Sequence, residues 1–238
     1  MTGVPGFDGF REDGLAFLRA LAANNDRAWF AAHKTWYTDG LLDPMRRLVV
    51  ALAPVMVGID PALEVDPRRG TISRLHRDTR FSADKAPFRV NQWIAFKPAA
   101  RDWTDRPAFF LEFDADRHRY GMGFYRASPA TMAAVREAIQ ADPPAFAAAV
   151  AAAAGAGFEL AGEVYRRPRP FTDLPDAARG WFCRKNAYMV RAGAVDAVFL
   201  GPELVERIAG AFTAAAPLYR FLNDRVCAYR RMSSRSMA

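Results

Sequence analysis

The chain has 238 residues, 51% of them hydrophobic, and its 33 Lys and Arg against 26 Asp and Glu leave a net charge of +7. That size and apolar content suit one large domain or two small ones around a substantial core and argue against an unfolded chain. No apolar run reaches the roughly 20 residues that cross a bilayer, and Met1–Gly14 carries acids and glycines in place of a basic and then apolar leader, so a cytoplasmic protein without a membrane partner is expected.

The first third reads as helices. Leu15, Leu18 and Leu21 with Phe17 form one apolar face. Asn24 then supplies a stop and Asn25 an N-cap, with Asp26 in the following first turn, where a carboxylate complements the helix dipole. Trp29, His33 and Trp36 recur at i, i+4 and i+7 of a second helix with Phe30 and Tyr37 beside them, an aromatic stripe that reads as core. Leu41, Met45, Leu48, Leu52 and Val55 mark a third helix that ends near Gly58.

After a loop rich in proline and arginine at Val65–Gly70, a strongly charged segment runs to the neighbourhood of Pro87. Val90–Phe96 and Ala108–Phe113 read as strands and Asp114–Asp116 as a turn. Arg119–Tyr125 reads as the antiparallel return, in which Gly121 and Gly123 mark a bulge or a close backbone approach. Ser128 caps a helix that has Pro129 at its first position and runs to about Ala141, and an alanine-rich helix follows Pro143 and Pro144. Phe158–Tyr165 reads as a hairpin turning near Gly162, Asn186–Arg191 as a last strand, and Leu204, Ile208 and Phe212 as a closing helix, with an aromatic turn at Pro217–Leu222. Helices, a mainly antiparallel sheet and helices again predict an α+β fold, the sheet packed with N-terminal and C-terminal helices. One domain over residues 1–238 is expected, with a helical part at 12–58, the charged segment at 73–89, a sheet-rich middle at 90–126 and a helical and mixed part at 128–223.

Neither a metal nor a nucleotide cofactor is indicated. Cys183 and Cys227 lie far apart with no histidine at ligand spacing and read as reduced thiols, and His33, His76 and His118 form no two-ligand pattern. The Gly121-Met122-Gly123 run lacks the strand–loop–helix setting of a phosphate cradle. No Ser-His-Asp order, Walker motif, catalytic-cysteine context or paired-acid signature points to a named class of enzyme, so whether the chain is an enzyme stays open.

The densest polar constellation is Ser73–Arg89, where five cations (Arg74, Arg77, Arg80, Lys85, Arg89) and two acids (Asp78, Asp84) leave a local charge of +3. On a helix, Arg74, Arg77 and Asp78 would share a face and Arg80 would sit one turn before Asp84. Arginines held in a fixed fork by carboxylates suit a phosphate or carboxylate ligand, and Ser82 adds a hydroxyl donor. The competing reading is an internal salt-bridge network that ties the segment down. The chain holds only four lysines, Lys34, Lys85, Lys97 and Lys185, in an arginine-dominated composition. A compact, titratable ammonium is a group arginine does not imitate.

The pattern Arg74-x-x-Arg77-Asp78-x-Arg80-Phe81-Ser82-x-Asp84-Lys85-x-Pro87 resembles the central signature of the domain of unknown function 2461 family, and Asn24-Asn25-x-Arg27-x-Trp29-Phe30-x-x-x-Lys34-x-x-Tyr37 resembles its N-terminal signature. The similarity extends through Gly121–Tyr125 to Arg184-Lys185. Ala86 and Phe88 depart from the pattern, standing where a threonine and a tyrosine are expected. The resemblance supplies places and no reaction. It makes Asn25, Arg27, Lys34 and Lys185 possible contributors to a site built on Arg74, Arg77, Asp78, Arg80, Ser82, Asp84 and Lys85.

Three functions follow. The first is binding of an anionic small molecule that bears phosphate or carboxylate, with or without catalysis. The second is a nucleic-acid-associated module using dispersed arginines, with Trp93, Trp103 and Phe81 as stacking partners. The third is a non-catalytic scaffold whose charged segment is structural.

Overall fold

A computed structural model describes residues 6–166, 174 and 176–235, with side chains as far as 225, which leaves the Cys227 thiol outside the described residues. The chain forms two compact units. The first comprises Met1–Phe96, Phe110–Tyr120 and Ala192–Ala209, and the second Lys97–Phe109, Gly121–Arg191 and Gly210–Ala238.

In chain order the first elements are α1 (Glu12–Ala23), α2 (Arg27–Ala32), α3 (Lys34–Tyr37), a π-helical turn at Thr38–Leu42 and α4 (Asp43–Ile59). The predicted apolar faces are buried as Leu15, Phe17, Leu18 and Leu21 on α1 and Met45, Leu48 and Leu52 on α4, where Val49, Met56 and Ile59 join them and Val55 is only half-buried. Three details differ from the sequence reading. Asp26 caps α2 in place of Asn25, its carboxylate accepting from the Trp29 N–H at 2.8 Å, because the Asn25 amide is engaged elsewhere. The expected single aromatic helix is broken at His33, whose ring stacks on Trp29 at 4.1 Å. The stripe is also half-buried: Trp29, Phe30, Trp36 and Tyr37 surround the fully buried Phe17 at 5.5–6.5 Å, and only Tyr37 among these four is buried.

The sheet strands are β1 (Gln92–Phe96), β2 (Pro107–Phe113), β3 (Arg117–Phe124), β4 (Glu159–Ala161) and β5 (Tyr188–Ala194). They form one antiparallel sheet in the order β1-β2-β3-β5-β4, and the fold is α+β. The β2–β3 turn is built by Asp114, whose carboxylate accepts from the Asp116 and Arg117 N–H groups at 2.8 Å each. Gly121 and Gly123 are sites of close approach: an added Cβ would lie 2.1 Å from the Met189 carbonyl oxygen or 2.4 Å from the Tyr188 Cα. The hairpin expected at 158–165 is not formed. β4 pairs instead with β5, Leu160 opposite Met189, and the chain leaves β4 at Gly162 (φ +125°), where the Asn186 carbonyl takes the space a side chain would need.

The remaining helices are α5 (Pro129–Ala141), α6 (Pro143–Gly155), α7 (Asp176–Phe182), α8 (Ala197–Leu200) and α9 (Leu204–Arg235). Ser128 caps α5 as predicted, accepting from the Thr131 N–H at 3.2 Å. The turn expected at Pro217–Leu222 is helix: α9 runs through Pro217, because the buried stripe Leu204, Ile208, Phe212, Ala215, Tyr219 and Leu222 keeps its helical spacing across the proline. Burial of that stripe outweighs the one backbone hydrogen bond the ring removes.

The first unit is centred on Phe10, which stacks on Phe199 at 5.0 Å and meets Phe113 at 4.7 Å, with His118 against Phe199 at 4.9 Å. In the second, Phe146 meets Trp181 edge-on at 5.5 Å, and Phe109 of β2 lies against Phe212 and Tyr219 of α9. Within the first unit α1 and the π turn touch backbone to backbone. A Cβ on Gly14 would fall 2.1 Å from the Gly40 carbonyl oxygen. Gly14→Ala is therefore expected to destabilise the protein by at least about 2 kcal/mol through overpacking. Gly58→Ala in α4, whose methyl meets nothing within 4 Å, stabilises by about 0.4–1 kcal/mol. Denaturant titration of the two variants gives the comparison.

Candidate functional site

Ser73–Arg89 is a loop of the first unit and not a helix, so the face-sharing expected of a helix does not arise. Its two limbs run antiparallel at the base. His76 bridges to Phe88, the Arg77 N–H donates to the Pro87 carbonyl at 2.8 Å, and the Arg89 N–H to the Leu75 carbonyl at 2.8 Å. Leu75 and Phe88 are buried beneath it. Residues 77–87 thus form a compact loop with its ends fastened together, a design often used to present functional side chains.

The base is locked from the N-terminal helices. Asn25 Nδ2 donates to the Phe88 carbonyl and its Oδ1 accepts from the Phe88 N–H, both at 3.0 Å. Phe30 packs on Phe88 at 4.5 Å and edge-on against His76 at 5.9 Å. Asn25 thereby serves as the loop's anchor.

Within the loop the two acids each hold one arginine. Arg80 Nε and Nη2 clasp the Asp78 carboxylate at 2.7–3.2 Å, and the Arg80 backbone N–H adds a bond at 3.2 Å. Arg77 pairs with Asp84 and places Nη2 3.5 Å from Ser82 Oγ, while the Ala86 N–H caps Asp84 at 2.9 Å. Lys85 Nζ donates to the Thr79 carbonyl at 3.0 Å. Arg74 and Arg89 are exposed, and among the described residues neither they nor Lys85 forms an ion pair. Arg27 and Lys34 are exposed on α2 and α3, likewise without an ion pair among the described residues. Lys185 belongs to the second unit, where it pairs with Glu163 and lies 5.9 Å from the Tyr165 ring centroid. Of the possible contributors, the structure brings Asn25 alone into hydrogen-bond contact with the loop.

Two further features, a contact between two residues noted in the sequence and a cleft, were not foreseen. Lys97, outside the signature, rests its Nζ 3.8 Å from the Trp103 ring centroid, and burial pulls its pKa below the usual lysine range. Trp103 also stacks on Tyr125 at 5.5 Å, so this ring already has partners of its own. In the first unit a cleft of about 770 Å³ is lined by Asn91, Glu112, Arg117, Arg119 and Ala192–Ala194, none of them a predicted site residue. Glu112 accepts from Asn91 Nδ2 at 2.6 Å and from Arg119 Nε at 2.8 Å. The signal was present: Glu112 and Arg119 fall on the outward-facing alternation of two strands joined by a predicted turn.

Residues 13–221 match the sequence model of a family described as "Conserved hypothetical protein (DUF2461)". The chain belongs to the DUF2461 family. A search of curated proteins gives no match. The two DUF2461 signature segments, separate in sequence, meet in space through the Asn25–Phe88 clamp and the Phe30 ring. Among the described residues no group of three or more metal-ligating side chains occurs, and no helix is long and apolar enough to cross a membrane.

Two outcomes follow from this geometry. Asn25→Ala leaves the Phe88 N–H and carbonyl, both partly buried, without partners, and is expected to cost about 1–3 kcal/mol; thermal unfolding reads the loss. The second concerns pH. The Arg80 side chain, helped by its backbone N–H, holds Asp78 below the ordinary carboxylate range, and the Arg77 side chain, helped by the Ala86 N–H, does the same for Asp84. A depressed folded-state pKa gives order that is complete above the unfolded carboxylate value and is lost as pH falls through the lower folded value. Carboxyl carbon shifts measured by NMR are expected to show Asp84 rising towards the ordinary range in Arg77→Ala with Asp78 unmoved, and the reverse in Arg80→Ala.

Proposed function

We propose that loop 73–89 binds an anionic small molecule bearing phosphate or carboxylate. Arg74, Lys85 and Arg89 make direct contacts, while Arg77 and Arg80 are held in place by Asp84 and Asp78 and Ser82 lies against Arg77. One observation carries the reading: each of the two acids is taken by one arginine, which leaves three cations on the same loop without a carboxylate among the described residues. Cations on a loop already fixed by its own hydrogen bonds lose little further entropy when they bind.

A second reading, a scaffold in which the charged segment only shapes the loop, is favoured by the Arg77–Asp84, Arg80–Asp78 and Lys85–Thr79 contacts. Thermal unfolding with inorganic phosphate, diphosphate and a tricarboxylate separates the two. Binding predicts a ligand-dependent stabilisation, about 2.7 kcal/mol at a hundredfold excess over Kd, that disappears in the Arg74→Ala/Lys85→Ala/Arg89→Ala variant. Equal curves with and without each anion in the wild-type protein favour the scaffold.

A further inference from the structure

Phe81 sits at the tip of the loop with 95% of its surface exposed, against 52% for Tyr125, the next most exposed large apolar side chain among the described residues. Its exposure does not come from an unformed segment. Arg80 on one side is clasped by Asp78, Arg77 below is paired with Asp84, Lys85 binds the Thr79 carbonyl, and the Ser82 N–H donates to the same carbonyl at 3.3 Å. The Arg80 guanidinium carbon lies 5.8 Å from the ring centroid, a cation–π contact that further orients the ring. Holding a bare aromatic ring in water opposes the hydrophobic effect, and here several polar contacts maintain that arrangement.

We infer that Phe81 is a stacking platform for a base of single-stranded nucleic acid whose phosphates lie on Arg74, Lys85 and Arg89. The inference rests on the anion-binding reading and narrows its ligand. An exposed π face beside a cation excess is the combination with which proteins hold single strands, the ring taking a base and the cations the backbone. The layout favours a strand over a mononucleotide. Arg74 and Arg89 flank the His76–Phe88 bridge at the loop's base, while Phe81 is at the tip, seven residues beyond Arg74 and eight before Arg89. A single nucleotide offers one phosphate beside one base; a strand offers successive phosphates along that path. Duplex nucleic acid is disfavoured because its bases are already stacked.

The test uses the full chain and two fluorescent oligodeoxynucleotides of about 12 nucleotides, one of thymidine and one with abasic residues at every internal position, titrated by anisotropy at low and high salt. Wild-type protein is expected to bind the base-bearing strand about 5- to 100-fold more tightly than the abasic one, with both affinities falling as salt rises. Phe81→Ala, a change at an exposed position, removes the difference between the strands and keeps the salt dependence, and Phe81→Trp restores it. Equal, salt-dependent binding of the two strands by the wild-type protein overturns the stacking inference and leaves the anion site standing. Absence of binding to either strand also overturns it; if phosphate and diphosphate then fail to shift melting, the anion reading falls with it.

Discussion

The charged loop depends on one side-chain amide. Asn25 meets the Phe88 backbone as a neighbouring strand would, giving a donor to its carbonyl and an acceptor to its N–H. A side chain that completes two backbone bonds on a residue otherwise buried by Phe30 and His76 removes the alternatives open to that segment. With Phe88 fixed, the Arg77–Pro87 and Arg89–Leu75 bonds set the spacing of the limbs, and everything between them is held out from the first unit as a closed loop. The anchor also explains why the N-cap falls to Asp26: Asn25 cannot serve the helix and the loop at once.

Ion pairs between exposed groups contribute little to global stability because water and salt screen them, and Asp78, Arg80 and Asp84 are exposed. Their effect is local. Each pair removes conformations from an arginine or a stretch of backbone, and together they define where the remaining charges and the Phe81 ring stand. A salt-bridge network and the proposed binding surface are then compatible roles for one segment: the acids order two arginines, and the cations in excess of the acids stay unneutralised on the loop.

Local chemistry in the sequence specified much of the fold. The cap and proline of α5, the outward turn at Asp114, the buried faces of α1 and α4 and the strands β1 to β3 all follow from patterns a few residues long. The misread features were decided by distant partners. β4 finds β5 across the intervening α7, and no signal within 158–165 distinguishes that pairing from a local hairpin. Pro217 reads as a stop until the buried stripe on either side of it is counted as one. Asn25 and Asp26 are both good N-cap residues, and only Phe88, 63 positions away, separates their roles. At the candidate site, composition identified the segment and the acid–arginine pairing in outline. The partners differed, since without a helix Arg80 turned back to Asp78 and left Arg77 to Asp84.

The signature becomes more informative once its members are sorted by what each one does inside the protein. Asn25 and Phe30 fasten the loop, Arg77 and Asp84 brace its interior, Asp78 holds Arg80, Lys85 ties down Thr79, and Pro87 receives the bond that closes the base. Each of these has an internal partner, although Lys85, bound only to a carbonyl, keeps its charge unneutralised. Phe81 differs from these, as do the exposed cations of the signature. Packing gains nothing from a ring with 95% of its surface in water, and the turn through Thr79 and Ser82 needs no aromatic side chain there. A ring whose cost is borne by the fold and whose benefit is not found within it is what motivates the proposed partner, and the unneutralised cations on the same loop are why that partner is proposed to be an anion.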